Sequence, residues 1–138
     1  MFSAEYVAGL VDSDGSIRIG KRESAKGVSG VFYHLRISIQ QHRNDNLFDW
    51  LLERFGGCND NVGKMPGWTV AAKNAEEFIG WILPYVIVRR EECELALEFI
   101  KTLRSRHRAR LSQDVLDVRE VLYLRSAVLK HSRYNKGV

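Results

Sequence analysis

The 138-residue chain is 45% hydrophobic and 28% charged, as ordinary folded domains are and as disordered or membrane-spanning chains are not. It lacks a run of about 18 apolar residues for a membrane span and a basic-then-apolar leader, so an intracellular protein is expected. A net charge of +4 suits a polyanionic partner, the more so because Lys and Arg gather at 18–26, 89–90 and 101–110 while acids gather at 45–53 and 91–98.

Ser3 is placed to cap a first helix, with Glu5 near its positive end, that continues through Val7, Leu10 and Val11 to Gly15. From Ser16 the period changes to two. Ile17 and Ile19 alternate with Arg18, Gly20 and Arg22, and Leu35, Ile37 and Ile39 alternate with His34, Arg36, Ser38 and Gln40, which predicts two strands with one apolar face each. Their connection, 24–30, carries two glycines and little that packs, so a mobile hairpin tip is expected.

Asn44 is expected to cap an amphipathic helix bearing Leu47, Phe48, Leu51, Leu52 and Phe55, stopped by Gly56 and Gly57. A weaker strand pair follows at 58–64 and 68–73 around a Met65-Pro66-Gly67 turn. Asn74 and Glu77 read as a capping box for a helix with Phe78, Ile79, Ile82 and Leu83 on one side, ending at Pro84. Helices over 91–104 and 112–130 complete the chain. Cys58 and Cys93 have no metal-type spacing and are expected as small buried thiols.

This order predicts an α+β fold, αββαββα, with a four-stranded antiparallel saddle-shaped sheet, helices on one face and C-terminal helices added. One domain is expected, with a core over 2–104 and a helical extension from about 105 to 138. The sheet's other face would carry Arg18, Arg22, His34, Arg36, Ser38 and Gln40, a set that suits nucleic acid and is also compatible with a solvated face.

The chemistry concentrates in Tyr6–Ser16. Gly9 within a helix costs about 1 kcal/mol against alanine, a loss accepted where another backbone approaches closely. Asp12 and Asp14 sit at the helix's negative end, where an anion is disfavoured by roughly 0.3–1 kcal/mol. A cation reverses that sign, and magnesium accepts one or two carboxylates, a backbone carbonyl, waters and phosphate oxygens. The same Asp-x-Asp-Gly pattern also forms turns that bond only their own backbone.

The segment Val7-Ala-Gly-Leu-Val-Asp-Ser-Asp-Gly15 resembles the nine-residue motif of the LAGLIDADG homing endonucleases, with Val for Leu, Val for Ile and Ser for Ala. The resemblance covers the element order from about Phe2 to Leu103. It implies that Asp14 binds the catalytic metal with the Ser13 carbonyl, while Asp12 stabilises the helix end. Gln41, at the end of the second strand, and Arg89, after the third helix, stand where family members carry further active-site groups. Arg89 replaces the usual Lys; it holds its proton and grips phosphate by a planar fork, so its expected role is electrostatic.

The motif occurs once, and cutting both strands of a duplex needs two centres, so a homodimer is expected through Val7, Ala8, Gly9, Val11 and Asp12. Arg18, Arg22, His34, Arg36, Ser38 and Gln40 are the expected readers of base edges, joined by Asn61, Lys64, Trp68 and Lys73 from the second hairpin. Trp68 suits a core more often than a base contact. Lys26 and the cations of 104–110 suit phosphates, though the latter run also reads as a solvated connection.

The expected activity is that of an intron-encoded, site-specific nuclease that makes a double-strand break in a long, pseudo-palindromic double-stranded DNA. Magnesium would serve it, manganese would substitute and calcium would support binding without cleavage. The alternative is a binder that does not cut, either an RNA maturase for its host intron RNA or a regulator. Retention of both Asp12 and Asp14 favours cleavage.

Overall fold

The computed structural model describes residues 1–23, 31–61, 65–104 and 113–135. The hairpin tip with Lys26, Lys64 and the connection 105–112 lie outside the described residues. The elements run α1 (Ala4–Asp14), β1 (Gly15–Glu23), β2 (Val31–Gln40), α2 (Leu47–Phe55), β3 (Cys58–Asn59), β4 (Gly67–Ala71), α3 (Ala72–Ile82), α4 (Arg90–Arg104) and α5 (Gln113–Asn135). The strands form one four-stranded antiparallel sheet, as the element order predicts, and their order across it is β1-β2-β4-β3.

Ser3 caps α1 as expected, its Oγ accepting from the Tyr6 N–H at 3.2 Å. Helix α1 then buries Ala4, Val7, Ala8 and Val11, the i, i+3, i+4, i+7 stripe of one face. Ile17, Ile19, Leu35, Ile37, Ile39 and Val70 point from the sheet into the same core, where Leu47, Leu51, Phe78, Ile79 and Phe99 meet them. Alternate residues of β1 and β2 consequently face away from the helices.

Three local expectations change. Asn46, not Asn44, precedes α2, and the Leu47 N–H is met by the Asp45 carboxylate at 3.2 Å. Asn74 lies inside α3, because β4 passes from Ala71 directly into that helix at Ala72 without a side-chain cap. The second hairpin is shorter than predicted: β3 has two residues, and Lys73 stands on a helix. Cys58 is exposed, whereas Cys93 is buried, and burial pushes its thiol up to about 12.

Gly56 and Gly57 end α2 with φ of 82° and 89°, the left-handed region that glycine enters without strain. The turn they make brings the Gly56 carbonyl to Trp68 Nε1 at 2.9 Å. Trp68 is fully buried against Phe78, with ring centroids 4.9 Å apart. It belongs to the core and cannot touch a base, which corrects its assignment to the DNA face.

Helix α5 covers the outer edge of β1. The Glu120 carboxylate accepts from Lys21 Nζ at 2.8 Å and from the Tyr33 hydroxyl, and Ser126 Oγ accepts from the Ile19 N–H at 3.1 Å. An edge-strand donor is thereby satisfied by a side chain, which also blocks pairing with another chain.

Candidate active site and nucleic-acid face

Helix α1 becomes strand β1 with no intervening residue. The Gly15 N–H closes the helix on the Val11 carbonyl, and a Cβ at Gly15 would stand 2.7 Å from that oxygen. Any larger residue would therefore push the strand off the helix end. This junction fixes Asp14, the exposed last residue of α1, at the rim of the sheet.

Gln41, just beyond β2, donates from Nε2 to Asp14 Oδ2 at 2.8 Å. The two predicted residues thus meet across 27 positions of sequence. Sequence reasoning missed Arg43, which fixes Gln41 in turn. Arg43 donates from Nη1 to Gln41 Oε1, from Nη2 to the Tyr6 hydroxyl at 2.9 Å, and from Nε to Asp45 at 2.8 Å. With its carbonyl oxygen so occupied, the Gln41 amide presents its NH₂ group to Asp14. Two-residue spacing from Gln41 is the one sequence cue that links Arg43 to the site.

Asp12 is committed elsewhere. Its Oδ2 accepts from the Ile87 N–H at 2.9 Å, and its Oδ1 accepts from the Val88 and Arg89 N–H groups, both at 3.1 Å. The acid that is costly at the end of α1 therefore satisfies the turn entering α4, where unpaired amides favour an anion. Asp12 holds the two helices together, with both carboxylate oxygens engaged inside the chain.

Arg89, which the turn carries, donates from Nε to the Val11 carbonyl at 2.8 Å and from Nη1 to Glu92 at 3.1 Å. Its side chain is 14% exposed and that of Glu92 is 5% exposed, so the pair is largely withdrawn from solvent. Asp14, Arg18, Arg89, Glu92 and Lys130 nonetheless share the wall of one cavity of about 340 Å³. Ser13 lines it too, with its hydroxyl 3.3 Å from the Leu10 carbonyl that accepts from it.

A second groove, of about 240 Å³, lies on the sheet between Arg18, His34, Arg36, Ser38, Gln40 and Asp60. The strand register sets Arg18 directly opposite Arg36, an unfavourable pairing of like charges that an anionic partner would relieve. Burial first, then the charges of Arg22 and Arg36, hold the His34 imidazole below its usual range. Its ring lies over Gly20, where a Cβ would stand 2.3 Å from Nε2. Asp60, the one acid of this groove, gave no sequence signal.

Arg22, Asn61 and Lys73 are exposed but stand outside that groove. On α1, Val7, Ala8 and Val11 are fully buried in the chain's own core, so they cannot form the expected subunit contact. Gly9 is exposed, with nothing within 4 Å of a Cβ built there, and shares its helix face with Tyr6 and Ser13. Exposed Ile87 and Val88 lie beside the end of that face, tethered by Asp12.

No family model and no curated protein matches the chain. Its structure is similar to several solved ones. The homing endonuclease I-CvuI, in complex with DNA in the presence of magnesium, has a TM-score of 0.78 at 19% identity over 91% of this chain and 80% of its own. The homing endonuclease I-TnaI has a TM-score of 0.72 at 15% identity, over 96% of this chain and 97% of its own. The DNA-bound meganuclease I-SmaMI has a TM-score of 0.73 at 19% identity over 89% of this chain, which spans 43% of that protein. Described as a LAGLIDADG homing endonuclease in complex with its DNA target, I-GzeII has a TM-score of 0.72 at 18% identity, over 89% of this chain and 44% of its own. With the motif-like segment on α1 and the sheet that follows it, the chain has the fold of the LAGLIDADG homing endonucleases.

Proposed function

We propose that the chain is a site-specific endonuclease that acts as a homodimer on a long, pseudo-palindromic DNA duplex and hydrolyses one phosphodiester per subunit. The observation that carries this reading is the Asp14–Gln41 pair, held at the edge of a cationic sheet groove. The DNA-bound state of I-CvuI and I-SmaMI supports it by fold analogy.

The oxygen donors fit a hard divalent ion that shares its shell with water and substrate phosphate. Asp14 is exposed and engages Gln41 through one oxygen, while Asp12 is taken by backbone amides and Glu92 by Arg89. Asp14 and the Ser13 carbonyl would hold magnesium, with manganese a substitute and calcium an ion for binding alone. Once bound, the ion supplies positive charge for the attacking and leaving oxygens.

The chain's own groups orient the site. Gln41 fixes the Asp14 carboxylate, Arg43 fixes the Gln41 amide, and Arg89, tied to the Val11 carbonyl and paired with Glu92, braces the cavity wall. In the hydrolysis a water oxygen bonds to phosphorus and the bond from phosphorus to the leaving sugar oxygen breaks. The water proton passes to solvent, and the sugar oxygen takes a proton from solvent.

Arg18, His34, Arg36, Ser38 and Gln40 face the base edges in this reading, and Arg22, Asn61 and Lys73 face the flanking duplex. Pairing of two α1 helices would use Tyr6, Gly9 and Ser13, with Val7, Ala8 and Val11 backing the helix from inside. Target duplexes selected from a random library with calcium, then challenged with magnesium, test the proposal. Asp14→Asn should bind those duplexes and leave them intact. A wild-type chain that binds them, or binds structured RNA more tightly, and never cuts with magnesium or manganese is the non-cleaving protein instead.

A further inference from the structure

We propose that Lys130 of α5, not Arg89, supplies the cation that meets a DNA phosphate at the Asp14 cavity. This rests on the endonuclease reading for the chemistry, but the contact itself needs only DNA binding. Lys130 lines the cavity with Asp14, Arg18 and Arg89, and it is exposed. Arg89 has spent two of its donors inside the chain, on the Val11 carbonyl and on Glu92, whose carboxylate offsets its charge. A guanidinium so tied and so neutralised is a poor clamp for a phosphate that arrives from solvent.

Helix α5 is held in one register against β1, and that register delivers Lys130. Glu120 is bonded to Lys21, and Ser126 is bonded to Ile19, so the helix and the strand run in opposite directions along the sheet edge. From Glu120 to Lys130 the helix advances about 15 Å at its usual rise. From Lys21 back to Ser16 the strand advances about 16 Å. The two paths therefore end side by side at the α1–β1 junction, where Asp14 stands. Ser126 and Lys130 are four residues apart and share a helix face, so the bond that seats Ser126 also turns Lys130 toward the strand.

The role of Lys130 is to donate to a non-bridging oxygen of the scissile phosphate and to offset the negative charge that grows there as water attacks. The C-terminal helix then belongs to the reaction centre and is more than a cover for the sheet edge. Lys130→Ala, Lys130→Arg and the parent chain are compared on the same calcium-selected duplex. Two readouts are taken: single-turnover cleavage with magnesium, and the slope of log Kd against log salt with calcium.

Lys130→Ala should slow cleavage about 100-fold, the scale of one lost donor to developing charge, and should flatten the salt slope by about 0.9 per lost phosphate contact. Lys130→Arg should restore the slope and part of the rate. A Lys130→Ala chain that cuts within threefold of the parent with an unchanged slope overturns the proposal. If the parent binds and never cuts, the endonuclease reading fails by itself. The slope still decides Lys130: flattened supports the contact, unchanged overturns it.

Discussion

Replacing Asp12 and replacing Asp14 should have opposite consequences, although the two acids stand two residues apart on one helix. Asp12→Ala leaves the Ile87, Val88 and Arg89 N–H groups without their acceptor. Ile87 and Val88 are exposed, so water replaces most of what they lose; the Arg89 N–H is half-buried. One charge-assisted bond to a half-buried donor is worth about 1.5 kcal/mol, and loss of the anion before α4 adds about 0.5 kcal/mol. The expected destabilisation is about 2 kcal/mol, which lowers the melting temperature by roughly 6–8 °C in a domain of this size.

Asp14→Asn removes an exposed anion from a helix C-terminus and should change stability by less than about 0.5 kcal/mol, in either direction. Urea titration and calorimetry of both variants, with duplex cleavage scored alongside, separate the roles. Asp12→Ala with parental stability would refute the account of Asp12 as the tie between α1 and α4. Asp14→Asn that lost more stability than Asp12→Ala would show that the Gln41 bond is structural.

Gly9→Leu should leave the subunit as stable as before or better by up to about 1 kcal/mol, since leucine favours a helix and the position is open; sedimentation should nevertheless show monomers, and cleavage should vanish. Trp68→Ala should destabilise by about 3–5 kcal/mol through the cavity it leaves, and at a temperature where the variant stays folded its salt-dependent DNA binding should match the parent. Gly20→Ala should displace the His34 ring with little change in melting temperature, and the base preference near His34 should shift in a binding selection. Bonds from Lys21 and Tyr33 hold the Glu120 carboxyl below its usual range, so its stabilisation is present above the ordinary carboxyl value and is lost as pH falls through the lower folded one. Glu120→Gln should lack that part of the acid-dependent fall in melting temperature.

What could be read from the sequence was whatever depends on neighbours a few positions away. The Ser3 cap, the two-residue period of β1 and β2 and the stripe of α2 are such features, and they give the element order. Caps are not legible where several polar residues compete: Asp45 meets the Leu47 N–H and is held by Arg43, which Tyr6 fixes from 37 positions away. The face of Trp68 is not legible because Gly67, Trp68, Thr69 and Val70 are all buried, which leaves no alternation to assign one.

At the site, Asp14 and Gln41 were legible through the motif and the strand end, and their contact follows from the register of β1 and β2. The work of Asp12 was not legible, since its partners lie 75 to 77 positions away. Nor was Lys130, which reads as one more cation on an unremarkable helix until the bonds of Glu120 and Ser126 give that helix a register.

The direct passage from Asp14 to Gly15 leaves no spare length between a helix and a strand. One inserted residue would turn the helix end by about 100° or move every strand side chain to the opposite face. Drift at this joint is therefore punished at once, in the acid and in the core together. Substitutions on the outward face of β1 and β2 meet no such double penalty. A lineage built on this joint can rewrite the outward face of the sheet many times over while the end that carries Asp14 stays where it was.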